Sequence, residues 1–256
     1  VTIVLYGSYG RSEGGWIRDE LGHYHPYNDY DVAIIKRRVS AGERRKAADA
    51  ILILKGRINI RFIDLSLMEL KEVKRLKLSI LNYDFMTASY VIYGDPGIFE
   101  SAPPMDSRQM PLREAEVLFF TRSWVFSGGS VEASGDPLFS LTQLSKAILA
   151  CVDAELIMNH QYTPRYRDKV SAFHSLVRTT DIWDGAVDHV DWAFQQKCSP
   201  EVSKRFRELE DIQCFEREIA ERYKRTFLPV LSKIYNRQFL SIGEFLEFYE
   251  RSLIQR

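Results

Sequence analysis

Leu5-Tyr6-Gly7-Ser8-Tyr9-Gly10-Arg11 and, after a polar stretch, Asn28-Asp29-Tyr30-Asp31-Val32-Ala33-Ile34-Ile35-Lys36 decide how this chain folds. The first segment is a glycine–serine turn at the end of Val1-Thr2-Ile3-Val4-Leu5-Tyr6, a β-branched and apolar run expected to form a buried strand. The second is expected to be a strand over 31–36 with two aspartates at its entrance. Residues two apart on a strand face the same way. Asp29 and Asp31 therefore present carboxylates on one face, and like charges held that close repel unless a cation lies between them. A Gly-Ser turn just ahead offers backbone N–H groups to an anion. Together they describe a site for a metal-bound polyphosphate.

Working outward, Ser40-Ala41-Gly42-Glu43 has the spacing of a helix capping box, which predicts a helix to about Leu54, with Gly56 as its stop. A third strand is predicted over 58–65. On it Ile58, Ile60, Phe62 and Asp64 share a face by the period of two. A carboxylate ending an otherwise apolar face calls for a partner. A metal or a nucleophile's proton would supply one, and so would a strand end in solvent. Ser66-Leu67-Met68-Glu69 repeats the capping pattern and predicts a helix from there, and Ser89-Tyr90-Val91-Ile92-Tyr93 is a short strand closed by Gly94-Asp95-Pro96-Gly97. Residues 7–28 read as a long loop.

Three prolines within 101–111 mark a linker. Beyond it the pattern is helical, with helices expected near 112–127, 137–160, 165–178, 186–197, 200–235 (with a break or bend) and 241–254. The expected architecture is thus an α/β domain with a short mixed sheet over 1–100, the 101–111 linker, and an all-α helical bundle over 112–256.

Gly7-Ser8, Asp29-x-Asp31 and a later Asp64 on a third strand resemble the nucleotidyltransferase superfamily that includes DNA polymerase β and the aminoglycoside nucleotidyltransferases. The resemblance covers about residues 1–95. It implies that Gly7 and Ser8 hold a nucleoside triphosphate, that Asp29 and Asp31 bind Mg²⁺, and that Asp64 activates an acceptor hydroxyl beside them. In two-metal chemistry carboxylates bridge two Mg²⁺ ions, with Asp64 as a further ligand. The 21 positions from Ser8 to Asp29 exceed the gap of the smallest family members, so the insert near 13–27 is expected at the mouth of the site. A helix usual before the first strand is not seen here. The chain starts at Val1 without a methionine, which leaves open a natural start upstream.

Further candidates are weaker. Arg11 follows the turn and is within reach of a phosphate. By resemblance to the helical domain of the aminoglycoside enzymes, Lys169 in Arg165-Tyr166-Arg167-Asp168-Lys169 matches a lysine that grips the triphosphate. Asp181, Asp184, Asp188 and Asp191 form either a solvated acidic face or an attraction for a cationic acceptor. His23 and His25 lack further ligands for zinc close in sequence.

Composition sets the outer bounds. The chain has 256 residues, 45% of them apolar, with 35 basic and 35 acidic side chains, so it is built to pack a core and has no excess charge for coating nucleic acid. Cys151, Cys198 and Cys214 are odd in number and far apart, as in free thiols of a cytoplasmic protein. No apolar run is long enough to span a membrane.

These observations converge on an expectation of Mg²⁺-dependent transfer of a nucleoside monophosphate, AMP from ATP, to a hydroxyl of a small molecule, with pyrophosphate leaving. Transfer to a protein or to an RNA 3′ end, a metal-dependent glycosyl transfer, and a non-catalytic nucleotide-binding or antitoxin-like module remain alternatives. Acceptor, base and oligomeric state are open.

Overall fold

The computed structural model describes residues 1–27, 29–58, 62–178, 187–201, 206 and 208–254. Asn28, Asp181, Asp184, the stretch of the expected third strand at 59–61 and most of the expected helix start at 200–208 lie outside them. The chain divides into two compact units. The first comprises 1–107 with 164–166 and 198–200, and the second 108–163, 167–197 and 201–256. The break at 107/108 falls inside the proline-rich linker, whereas the recruitment of 164–166 and 198–200 to the first unit has no sequence signal.

In the first unit, β1 (Thr2–Tyr6) occupies the inside of a mixed sheet in the order β5-β4-β1-β6. It pairs antiparallel with β4 (Tyr30–Lys36) on one side and β6 (Tyr90–Tyr93) on the other. β5 (Ile63–Glu69) lies parallel to β4. One face of the sheet carries Val4, Ala33 and Ile35, buried against Val73, Phe85 and Ile98. The other face carries Tyr30, Val32, Ile34, Ile63 and Leu65, which line a cavity under α2 (Ala41–Ile58).

Several boundaries differ from expectation, each for a local reason. The capping box at Ser40 forms: Ser40 Oγ accepts the Glu43 N–H and Glu43 Oε2 accepts the Ser40 N–H. α2 nevertheless runs through Gly56, where no atom crowds the backbone and a helical glycine costs only about 1 kcal/mol. Ser66–Glu69 is strand rather than helix, because the parallel ladder with β4 continues to Lys36 and Glu69. The helix starts three residues later, capped by Glu69 in place of Ser66, as α3 (Leu70–Val73), with Glu72 accepting the Glu69 N–H. Asp64 is consequently the second residue of β5 and not its end. α4 (Ile80–Thr87), capped by Ser79 Oγ, was not expected. The 7–28 loop contains a helical turn, α1 (Gly7–Gly10), and a hairpin of β2 (Trp16–Arg18) and β3 (Tyr24–Pro26).

The second unit is helical: α5 (Arg113–Arg122), α6 (Val131–Ser134), α7 (Pro137–Met158), α8 (Tyr166–Val177), α9 (Val187–Cys198), α10 (Leu209–Tyr235) and α11 (Ile242–Ile254). α7 is buried nearly all round, as a helix at the centre of a bundle must be. Residues 201, 206 and 208 lie outside any helix, so the expected break in 200–235 falls ahead of Leu209. α10 packs along α7 and is helical through Pro229. Phe227, Val230 and Leu231, all fully buried, hold that turn in place despite the missing proline N–H. Among the described residues no helix is long and apolar enough to cross a membrane.

Candidate functional site

The first unit brings Gly7, Asp31 and Asp64 together at one end of the sheet. Tyr6 is the register partner of Asp31, and Asp31 is the register partner of Asp64, so the three lie side by side on adjacent strands. Directly paired residues project to the same face. β1 ends at Tyr6, and Gly7 turns the chain out of the sheet with φ +64°, a conformation that L side chains rarely adopt. A Cβ placed on Gly7 would lie 1.9 Å from Asp31 Oδ2, so the missing side chain is what lets the turn and the carboxylate meet. Gly10 is constrained similarly, since a Cβ there would stand 2.4 Å from the Leu5 carbonyl oxygen.

The turn is tied down by its own backbone. Arg11 N–H donates to the Gly7 carbonyl at 3.2 Å and Glu13 N–H to the Ser8 carbonyl at 2.8 Å, and Ser8 is buried. Tyr9 stacks on Tyr30, with ring centroids 4.2 Å apart, and its hydroxyl donates to the Gly15 carbonyl. These contacts fix the turn relative to the entrance of β4.

Asp29 precedes β4 and is exposed, Asp31 is half-buried and Asp64 is exposed. The Tyr6 phenol lies above its ordinary pKa through burial; the Ser66 hydrogen bond acts in the other direction, and the charges of Asp31 and Asp64 add to the rise. Both carboxylates thus share the surroundings of the Tyr6 hydroxyl, which is 3.2 Å from Ser66 Oγ. Ser66 and Tyr6 were missed from sequence. Ser66 stands two residues beyond Asp64, and the same period that singled out Asp64 would have found it once β5 was extended.

Arg11 is not aimed at open solvent. It is 8% exposed, donates from Nη1 to Asp84 Oδ2 at 3.1 Å, places Nε 3.5 Å from Glu13 Oε2, and lies over the Tyr166 ring at 5.0 Å. Glu13 in turn accepts the Tyr166 N–H at 2.9 Å. The structure gives Arg11 a tie between the turn, α4 and the 164–166 segment that the sequence did not suggest. Lys169 is in the second unit, 2% exposed, with Nζ 2.8 Å from Asp153 Oδ1 and 3.3 Å from the Tyr162 hydroxyl. It too has an internal ion pair that the sequence did not suggest. His23 and His25 both face Asp19, with His25 Nε2 at 2.7 Å from Oδ2, and Asp191 faces His174 at 3.1 Å.

The donor chemistry around Asp31 and Asp64 is hard oxygen, which suits Mg²⁺. Among the described residues no group of three or more His, Cys, Asp or Glu side chains is gathered as a ready cation site. Mg²⁺ commonly takes one or two carboxylates and completes its shell with phosphate oxygens and water. The neighbouring Asp31 and Asp64, beside a glycine turn with no Cβ to fill the space, fit that pattern. Asp29, exposed ahead of the strand, is not drawn into the pair.

No family model, no curated protein and no solved structure matches this chain. What the fold and the site define is therefore a class by architecture: a mixed α/β unit with a carboxylate pair and a glycine turn at one end of its sheet, in a chain that also builds a helical unit.

Proposed function

We propose that the chain is a nucleotidyltransferase that moves a nucleoside monophosphate, AMP from ATP, to an acceptor hydroxyl. The observation that carries this reading is the juxtaposition of Gly7, Asp31 and Asp64 on three successive segments of one sheet end. In it, Gly7 and Ser8 offer backbone N–H groups to the triphosphate, and Asp31 and Asp64 hold the cation side of the site, with Asp29 as the further carboxylate. A bound Mg²⁺ would neutralise triphosphate charge and polarise the α-phosphate.

The remaining chemistry belongs to this chain. The acceptor oxygen forms a bond to the α-phosphorus while the bond from that phosphorus to the bridging oxygen breaks. Pyrophosphate leaves with that electron pair, and the acceptor proton passes to the Asp64 carboxylate. Tyr6, a neutral phenol, is positioned to donate a hydrogen bond within the same cluster. Arg11 and Lys169 are left out of this reading, because their ion pairs account for them.

The test is Mg²⁺-dependent release of pyrophosphate from ATP in the presence of a panel of alcohols, together with calorimetric binding of a non-hydrolysable ATP analogue. Asp31→Ala and Asp29→Ala should each abolish release while leaving the circular dichroism spectrum unchanged. Full activity in either variant refutes the assignment of that carboxylate. A second reading, a nucleotide-binding module without catalysis, is favoured by the ungathered third carboxylate. Binding of the analogue with no pyrophosphate release from any acceptor would select it.

A further inference from the structure

Ala33 is the smallest side chain on its face of β4, and it lies two residues beyond Asp31. Its register partner Ser66 lies two residues beyond Asp64. Tyr6 crosses over from β1, so that its hydroxyl meets Ser66 Oγ at 3.2 Å. Two hydroxyls therefore come together one strand repeat away from the two carboxylates, on the same face. Beside them is a cavity of ≈ 420 Å³ lined by Tyr6, Ser66, Met68, Leu81, Asn82 and Phe85, with Ala33 also on its wall.

We propose that this cavity receives the acceptor, and that the acceptor is a small alcohol with an uncharged, apolar body. The proposal rests on the nucleotidyl-transfer reading and specifies its substrate class. Three features carry it. First, the position is right: a hydroxyl held at the Tyr6–Ser66 end is next along the strands from Asp64, the group assigned to take its proton. Each protein hydroxyl can both donate and accept, so the pair can hold an alcohol oxygen in either sense.

Second, apolar and polar surface share the wall about equally, and the apolar part is contiguous with the two hydroxyls. Met68, Leu81 and Phe85 suit a hydrocarbon or aromatic body, and Asn82 adds a neutral amide, itself donating to the Lys77 carbonyl at 2.8 Å. Third, the charge is wrong for a polycation. Arg44 of α2 is the charged side chain among the described lining residues, and no carboxylate lines the cavity with it. An amine-rich acceptor of the aminoglycoside type would be desolvated there without a partner. The volume lies within the ~300–1,000 Å³ range of small-molecule sites.

Benzyl alcohol, a primary alcohol on an uncharged ring, is the probe. With Met methyl groups labelled with ¹³C, it should shift the Met68 methyl resonance saturably, with no ATP present. Leu81→Trp is the blocking variant, because Leu81 is 64% exposed and its enlargement leaves the core untouched. It should weaken benzyl alcohol binding roughly tenfold, as occlusion of an apolar pocket does, while affinity for the ATP analogue stays that of the parent. In turnover, KM for the alcohol should rise in Leu81→Trp with kcat less affected, and benzyl alcohol should outperform kanamycin.

An unmoved Met68 resonance at saturating alcohol overturns the proposal, and so does a shift insensitive to Leu81→Trp. Pyrophosphate release that prefers kanamycin, or a protein acceptor, overturns it while leaving nucleotidyl transfer standing. Failure to bind the ATP analogue would instead refute the broader reading, independently of the Met68 measurement.

Discussion

Gly7 and Asp31 approach so closely that a side chain on Gly7 would begin 1.9 Å from Asp31 Oδ2, leaving room there for hydrogen alone. The turn that ends β1 and the carboxylate that opens β4 are thus one feature, built by two segments separated by a long insert. Gly7→Ala should act twice. The left-handed backbone, at φ +64°, costs a non-glycine residue about 1–2 kcal/mol. The new methyl must also push the carboxylate away. The expected result in urea unfolding is a loss of about that size, with affinity for the Mg²⁺–ATP analogue lost as well. Gly42→Ala, in α2 where no atom lies within 4 Å, is the control: it should stabilise slightly, as alanine does over glycine in a helix, and leave the affinity unchanged.

The Arg11–Asp84 ion pair joins residues 73 apart in the chain at 3.1 Å, with both side chains largely buried. Removing one partner of such a pair leaves the other charge buried with less compensation, which costs up to about 3–5 kcal/mol, the upper end for a charge with no second partner; Arg11 keeps Glu13 at 3.5 Å. Asp84→Asn and Arg11→Met should each destabilise the first unit by an amount of that order. The double variant should cost less than the sum of the two, because neither charge is then left alone. Additive losses by chemical denaturation would show that the two groups do not depend on one another.

Glu43 makes the N-terminus of α2 acid-sensitive. A hydrogen bond from the Lys36 ammonium, then those from the Ser40 backbone and hydroxyl, hold its carboxyl down to about 2 from the ordinary 4.5. A folded-state pKa below the unfolded value contributes stability that is fully present above the unfolded pKa and is lost as pH falls through the folded one. The protection factors of the amides in the first turn of α2, exchange rates taken relative to the unstructured chain at each pH, should therefore fall between about pH 4.5 and 2. Glu43→Gln should abolish that pH dependence. Identical profiles for parent and variant would mean that another carboxylate controls this helix.

Lys169 and Asp153 form the corresponding pair in the helical unit, at 2.8 Å. Lys169→Met should destabilise by about 3 kcal/mol, and adding Asp153→Leu should restore most of that, since an apolar pair of similar size replaces a buried ion pair at little cost. Affinity of the double variant for the ATP analogue should equal the parent's. A large fall in affinity in a stable double variant would restore Lys169 to the phosphate role that its sequence neighbourhood suggested.

The first strand, the Asp-bearing strand and the long helices α7, α10 and α11 were legible because each is written in local pattern: a β-branched run, or apolar residues at helical spacing. The span of β5 was not. Ser66 and Glu69 imitate a capping box, and only the ladder to β4, a tertiary contact, keeps them extended. The β2–β3 hairpin was hidden because each of its strands has three residues, too few for an alternation to show. At the site, Asp31, Asp64 and, with β5 given its full span, Ser66 follow from strand periodicity, but the meeting of Tyr6 with Ser66 does not. Their meeting depends on a ring crossing the strand between them. The Arg11–Asp84 contact was hidden for the same reason, because Asp84 is nowhere near Arg11 in sequence.

The parallel pairing of β4 and β5 runs through seven successive partners, from Tyr30–Ile63 to Lys36–Glu69. Side chains alternate between faces, so shifting one strand by a single position inverts everything it presents. Losing Ser66 while the ladder from Leu67 to Glu69 holds would turn Asp64 to the α2 face and Leu65 to the face of Asp31. Losing two would return an aspartate to the correct face but displace it by about 7 Å along the strand. Length variation in this strand is therefore governed first by parity and then by reach, and a chain that keeps every acidic residue can still lose its chemistry to one missing codon.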